Sequence, residues 1–373
     1  HRHDTVHRTL RTDHQESRLP LWALLIPIAA SALLAVGLEL PVGVALAIVC
    51  ALGLMGAVIA AVHHAEVVAH RVGEPFGTLV LAMPVTIIEV ALILSMMLAG
   101  GPDKATLPRE TIFSAIMIIC NGVVGLSLLH GGLRYHEQSF HIEGANTALA
   151  TIIALATLSL VLPTFTTSST GSTYTVAQLS FAAIASLVLW GTFVFVQTVR
   201  HRDYFLPVHN TTDEDIHAAP PSILLSWASF GMLLVALLAV VGLAKVLSPT
   251  IEAAVAEAGA PQAVIGIAIA MLVLLPETWA AARAARANRL QTSLNLAFSS
   301  ALASIGLTIP AVAFASVVIG MPLALGLEAK DLVLLALTFV VASITLVSGR
   351  THVMQGMVHL VIFAAFLFLA FVP

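Results

Sequence analysis

The chain has 373 residues, of which 59% are hydrophobic and only 10% charged, with a formal net charge of −4. Soluble domains carry roughly 25% charged residues, so a chain this poor in charge is solvated by lipid. The acidic balance offers no basic surface for nucleic acid, and Cys50 and Cys120 both fall inside apolar runs, where packing thiols are expected rather than a disulfide.

A helix needs about 20 apolar residues to cross a bilayer. Runs of that size fall at roughly 21–38, 42–63, 76–99, 110–130, 145–163, 175–199, 222–247, 261–282, 291–320, 331–348 and 352–372. The expected fold is therefore an all-α polytopic membrane protein of about eleven helices. Residues 1–20 form a polar segment unlike the short lead of a cleavable signal peptide. The run 21–38 stands alone as an orphan helix. Five helices follow over 42–199, then an acidic loop over 200–221 carrying Asp213, Glu214 and Asp215, then five more over 222–373.

Lysine and arginine concentrate on the cytoplasmic side of membrane proteins. With the N-terminus inside, Arg2, Arg8, Arg11, Arg18, Arg71, Arg134, Arg200, Arg202, Arg283, Arg286, Arg289 and Arg350 all fall on that side. Only Lys104, Arg109, Lys245 and Lys330 fall outside. The asymmetry predicts a multi-pass protein of a bacterial inner membrane, with its N-terminus cytoplasmic and its C-terminus outside. Two blocks of five helices must then run with opposite topology. Inverted repeats of this kind typify secondary transporters, which hold their ion near the midplane at the repeat interface.

Of the 20 Asp and Glu residues, all but two lie in loops or near a predicted helix end. The exceptions are Glu89, in TLVLAMPVTIIEVALILSMM, and Glu277, in GIAIAMLVLLPETWAAA. Each sits about 15 residues into its helix, near mid-bilayer, in the second helix of its block. A charge at that depth costs on the order of 2.5–3.5 kcal/mol. One such residue is readily a protonated, hydrogen-bonded side chain; two at matching places point to a shared site. Facing carboxylates suit a hard cation such as Ca²⁺. Burial and a like-charged neighbour both penalise the bare carboxylate, so protons compete with the cation for the same oxygens. That competition is the chemistry of an antiporter.

Pro84 precedes Glu89 by little more than a turn, and Pro276 immediately precedes Glu277. Proline frees backbone carbonyls, which can complete a cation's shell or simply mark a kink. The helix after each carboxylate is polar in its middle: Ser114, Cys120 and Asn121 in the first block, Ser293, Asn295, Ser299, Ser300, Ser304 and Thr308 in the second. Small hydroxyl residues also serve close helix packing, but the density over 293–308 favours an ion-lining face. With Thr86, these residues form the expected supporting set: Thr86, Pro84, Asn121, Pro276, Ser299, Ser300, Asn295 and Ser304.

The segments AEVVAHRVGEPFGTLVLAMPVTIIEVALI, GGLRYHEQSFHIEGAN, FVQTVRHRDYF, PETWAAARAARANRLQTSLNLAFSSALASIGLTIP and GRTHVMQG resemble the cation/proton exchanger family of the Ca²⁺/cation antiporter superfamily, in its bacterial ChaA-like branch of calcium/proton and sodium-potassium/proton antiporters. The family's two Gly-Asn-x-x-Glu cores read here Val85-Thr86-Ile87-Ile88-Glu89 and Val273-Leu274-Leu275-Pro276-Glu277. Both glutamates are kept and both Gly-Asn pairs are replaced. The Gly-Ser-x-x-Gln stretch reads Ser299-Ser300-Ala301-Leu302-Ala303, without its glutamine, and the Ser-Asn position reads Cys120-Asn121. The resemblance implies eleven helices, an orphan first helix and an acidic segment between the sixth and seventh. It implies Ca²⁺/H⁺ exchange at Glu89 and Glu277, with Na⁺(K⁺)/H⁺ exchange as the alternative where coordinating amides are missing.

Further features carry weaker implications. His63, His64, Glu66 and His70 gather at the expected end of the second helix; histidine titrates near neutrality, so a regulatory pH sensor stands beside inert interfacial histidines. Asp213, Glu214 and Asp215 either concentrate cations or form a solvated loop. His359 is either a proton relay or a satisfied packing residue. No nucleotide loop, nucleophile constellation or dense metal-ligand motif is present, so neither an enzyme nor a primary pump is expected. No cofactor is expected beyond the transported Ca²⁺ (or Na⁺/K⁺) and H⁺. The expected partners are inorganic cations, protons and the lipid bilayer, with the oligomeric state open.

Overall fold

The computed structural model describes residues 19–73, 76–205 and 220–373. Among them, eleven helices are long and apolar enough to cross a bilayer. They are α1 (Leu21–Glu39), α2 (Val44–Val72), α3 (Phe76–Gly100), α4 (Leu107–Tyr135), α5 (Ile142–Phe165), α6 (Val176–Arg200), α7 (Ile223–Ala258), α8 (Gln262–Arg286), α9 (Leu290–Ile319), α10 (Ala329–Val347) and α11 (Val353–Phe371). The expected spans are all present. Two run further than their apolar stretches: α2 continues past residue 63 to Val72, and α7 past 247 to Ala258. Hydropathy ends where polar side chains begin, but a helix ends at a breaker. Here the breakers are Gly73 and Gly259, with φ of 73° and 61°.

The helices form two packed groups. Helices α1, α2 and α7 lie against one another, and α3 leans on α7. Close approach is set by small residues: a Cβ on Gly242 of α7 would collide with the Leu34 side chain of α1. The second group contains α4, α5, α6, α9, α10 and α11, with α8 contributing to both. Helices α4 and α9 are the most enclosed spans. They occupy corresponding places in the two five-helix blocks. Outward faces carry bare apolar side chains such as Phe181, Ile184, Leu224 and Trp227, a surface suited to lipid.

The spans alternate in direction, so polar contacts collect at two ends. At one end Arg71 donates to the Pro221 carbonyl (3.3 Å) and Tyr135 to the Arg286 carbonyl (2.8 Å). There β1 (Gln138–Ser139) pairs antiparallel with β2 (Arg350–Thr351). At the other end the Lys104 ammonium pairs with Glu252 (2.7 Å) and donates to Gln262. Arg109 clasps Glu110 there at 2.7 Å and donates to the Gly326 carbonyl, also at 2.7 Å. Lys104 is almost fully buried, its stem lying over Gly100.

Candidate ion-binding site

Glu89 on α3 is 3% exposed and held from across the interface by α9. Ser304 donates to its Oε1 at 2.8 Å, and Thr308 donates to its Oε2 at 2.9 Å. These two hydroxyls open and close a π-helical stretch of α9, Ser304–Thr308. The wider turn of a π-helix keeps residues four apart nearly in line, so both hydroxyls reach one carboxyl group. A matching π-helical stretch, Ile118–Val123, interrupts α4. A narrow void beside Glu89 is lined by Thr86, Ser300 and Ser304 among other residues. The Thr86 hydroxyl itself is spent on the Ala82 carbonyl (2.9 Å).

Glu277 on α8 is in a different situation. It lines a cleft of about 440 Å³ that opens at the end where α2, α6 and α8 finish and α3 and α9 begin. His70, Gln197, Asn295, Ser299 and Ser300 share that lining. The Glu277 Oε2 is enclosed yet has no hydrogen-bond partner among the described residues. Val85, Ser300 and Ala303 border both the cleft and the Glu89 void. The two glutamates lie within electrostatic reach of one another.

At the opposite end a second cleft of about 760 Å³ runs between α3 and α7, with Thr86, Lys245 and Ser248 in its lining, but α8 packs closely on α4. Gly266, near the start of α8, sits directly on the start of α4: an added Cβ would lie 2.7 Å from the Glu110 carbonyl carbon and 2.9 Å from the Thr111 nitrogen. Corresponding residues of the other half, such as Gly77 near the start of α3 and Thr292 near the start of α9, line the open cleft instead. The contact between α8 and α4 is thus close at one end, while its counterpart between α3 and α9 is parted at the other.

The remaining expected residues divide. Ser304 meets Glu89, while Ser299 and Ser300 line the cleft. Asn295 also lines it, but its amide is occupied, donating to the Phe205 carbonyl (2.6 Å) and accepting from Gln291 (3.0 Å). Asn121 is not brought to the carboxylates. Its Nδ2 donates to Thr338 (2.9 Å) and its Oδ1 meets His359 Nδ1 (3.1 Å), in a buried network on α4, α10 and α11. His359 is completed by Thr345 (3.0 Å) and is a satisfied packing histidine. Pro84 and Pro276 leave α3 and α8 unbroken. Each still deprives one carbonyl, of Val80 and Leu272 respectively, of its helical donor.

His63 and His64 lie within α2 rather than at its end, against α1. His64 bonds the Ala23 carbonyl at 2.7 Å, and the His63 ring packs 4.9 Å from Trp22. Glu66 is exposed, within electrostatic reach of Glu277 and Arg283. Asp213, Glu214 and Asp215 lie outside the described residues. Two groups at the site escaped the expected set. Thr308 was visible in the polar run over 293–308, but its partner was not. Gln197 gave no signal beyond being a polar residue near a helix end.

Eleven spans, two enclosed counterpart helices and a carboxylate from each half define a multi-pass secondary transporter for cations, not an enzyme. The sodium/calcium exchanger protein family model matches residues 42–199 and 228–372. The chain belongs to that family, in its cation/proton antiporter part. It is 47% identical over 370 residues to the ionic transporter y4hA of Sinorhizobium fredii, covering 97% of this chain and 99% of that one. It is 34% identical over 367 residues to the sodium-potassium/proton antiporter ChaA of Escherichia coli, covering 97% and 98%. The fold matches the solved Ca²⁺/H⁺ antiporter YfkE with a TM-score of 0.72 at 16% identity, covering 94% of this chain and 99% of that one.

Proposed function

We propose that the chain exports Ca²⁺ in exchange for protons by alternating access, with Glu89 and Glu277 shared by cation and protons. One observation carries this reading: the enclosed Oε2 of Glu277 on the cleft wall has no partner among the described residues, and Ser300 borders both that cleft and the void beside the clasped Glu89. A buried bare acceptor calls for a cation or a proton. Arg71, Arg283 and Arg286 end their helices at the cleft end, so by the positive-inside rule the cleft faces the cytoplasm and this is the inward-open state. The N-terminus is then cytoplasmic and the C-terminus outside. In this state Glu277 exchanges with the cytoplasm. Parting of α8 from α4 at Gly266, with closure of α3 onto α9, delivers the cation to the far side, where external protons displace it. Glu66, His63 and His64 are left as candidates for tuning cation entry.

The alternative is Na⁺(K⁺)/H⁺ exchange at the same carboxylates. The missing Gly-Asn amides favour it, and ChaA carries that activity in its name. Proton flux in everted vesicles, driven separately by Ca²⁺, Na⁺ and K⁺, decides between them. Flux that answers Na⁺ or K⁺ but not Ca²⁺ across pH 7–9 overturns the calcium reading and promotes the alternative.

A further inference from the structure

Gln197 is the second residue of the π-helical last turn of α6, Val196–Arg200. Such turns re-aim side chains and recur at functional sites. Four residues of α6 line the cleft: Trp190, Phe193, Val194 and Gln197, spaced as one helical face. Three are apolar, so Gln197 is the polar group that α6 presents there. Its Nε2 donates to the Ser299 hydroxyl at 3.3 Å, which ties down one end of the amide. The other end, Oε1, is enclosed and has no hydrogen-bond partner among the described residues. The same is true of Glu277 Oε2 on the same cleft.

Two unpartnered acceptor oxygens, one charged and one neutral, are a poor arrangement for packing alone, because enclosed acceptors are normally satisfied. They are a good arrangement for a hard cation, which takes carboxylate and amide oxygens together. Ala303 on α9 also lines this cleft. It stands where the family resemblance expects a glutamine, and its small side chain leaves that space open to an amide from another helix.

We propose that Gln197 is a cation ligand of the open cleft, joining Glu277 as a neutral oxygen delivered from α6. This rests on the reading of Glu277 as an ion-binding carboxylate. The amide supplies coordination without adding charge, so it raises affinity for any hard cation without favouring a divalent ion. Replacing it by a carboxylate would add that preference.

The test measures cation KM and maximal rate for Ca²⁺ and K⁺ in vesicles of both orientations, using Gln197→Leu, Gln197→Glu and Glu277→Gln. Gln197→Leu is expected to raise the KM of the transported cation about tenfold on the cleft side, with the maximal rate held within about twofold. On the opposite side its KM stays unchanged. Gln197→Glu is expected to lower the Ca²⁺ KM relative to that for K⁺, an effect no bracing role produces. If Gln197→Leu leaves KM unchanged, or both Gln197 variants merely lower the maximal rate alike, Gln197 only braces Ser299 and the proposal is wrong. Glu277→Gln separates the two levels. Normal transport by that variant sinks the carboxylate reading itself, whereas its failure beside a silent Gln197→Leu sinks only the role of Gln197.

Discussion

Thr308 of α9 donates its hydroxyl to Oε2 of Glu89 on α3 at 2.9 Å, and no donor among the described residues reaches Oε2 of Glu277. The counterpart polar group on α4, Asn121, is occupied by Thr338 and His359. The two glutamates therefore occupy matching helices in unlike surroundings. Both are nevertheless needed if the cation must be neutralised at mid-membrane. Glu89→Gln and Glu277→Gln are each expected to abolish exchange while leaving expression and thermal unfolding near those of the parent. Glutamine keeps the shape, and at Glu89 the hydroxyls of Ser304 and Thr308 can turn to accept from it. Normal ion-driven proton flux from either variant in reconstituted vesicles would remove that glutamate from the site.

The clasp on Glu89 makes its own prediction. Hydrogen bonds to a charged group contribute about 1.5–3 kcal/mol. Thr308→Val removes one such donor at nearly constant volume. It is expected to weaken apparent cation affinity by about tenfold or more, the lower end of that range. Thr308→Ser restores it. A radiotracer uptake series across the three proteins checks this, and equal affinities in all three would mean that the hydroxyl serves packing alone.

The spans were legible because apolar length is a direct consequence of bilayer thickness. Glu89 and Glu277 were legible because ionisable residues at that depth are rare and costly. What escaped depended on which way side chains turn. Asn121 has the right residue type at the right depth, yet His359, Thr338 and Met117 take up its amide. Only the packing of α10 and α11 against α4 reveals that diversion. Gln197 reads from sequence as a polar residue at a membrane interface, and its placement in the cleft comes from the packing of the α6 face that also carries Trp190, Phe193 and Val194. Ser304 and Thr308 belonged to a visible polar run, but their shared partner lies on a helix of the other half.

Orientation is open to a direct labelling test. A unique cysteine placed near Ser222 should react with an impermeant thiol reagent only from the cytoplasm, and one at Pro373 only from outside. The native Cys50 and Cys120 are buried and give little background. Ser222 caps the start of α7 at the cleft end, and Pro373 follows α11 at the other. Labelling of both from one side would contradict the alternation of spans and the inward-facing assignment together.

Gly266 is where α8 packs directly on the start of α4. A side chain there meets the backbone of Glu110 and Thr111 below 3.0 Å, and backbone cannot swing aside. Gly266→Val is therefore expected to disfavour the state in which α8 seals against α4. The readout is a cysteine at Ser300, on the cleft wall. In the parent background it should react from the cleft side. Adding Gly266→Val should slow that reaction severalfold and open reactivity from the opposite face, as in any population shift between two states. Unchanged labelling from both sides would show that the contact at Gly266 does not govern access.

The last prediction counts protons. Two carboxylates carry a formal charge of −2, which one Ca²⁺ neutralises and one Na⁺ or K⁺ neutralises only half. A residual charge in a low-dielectric site is costly, so a monovalent ion is expected to leave a proton on one glutamate while Ca²⁺ displaces both. Cation binding that releases protons weakens as pH falls, by a factor set by the number released. Where both carboxyls are protonated before binding, the Ca²⁺ KM should rise about a hundredfold for each unit of falling pH, against about tenfold for a monovalent ion. Two protons against one divalent ion also make the exchange electroneutral, so an imposed membrane potential should leave the Ca²⁺ rate unchanged. The measurement is the slope of log KM against pH in everted vesicles, at fixed buffer composition, with and without a potassium diffusion potential. A slope of two that ignores the potential supports Ca²⁺ exchange through both glutamates. A slope of one for Ca²⁺ would mean that only one of the two carboxyl groups takes part in the exchange, and a rate that follows the potential would mean a stoichiometry other than two protons per Ca²⁺.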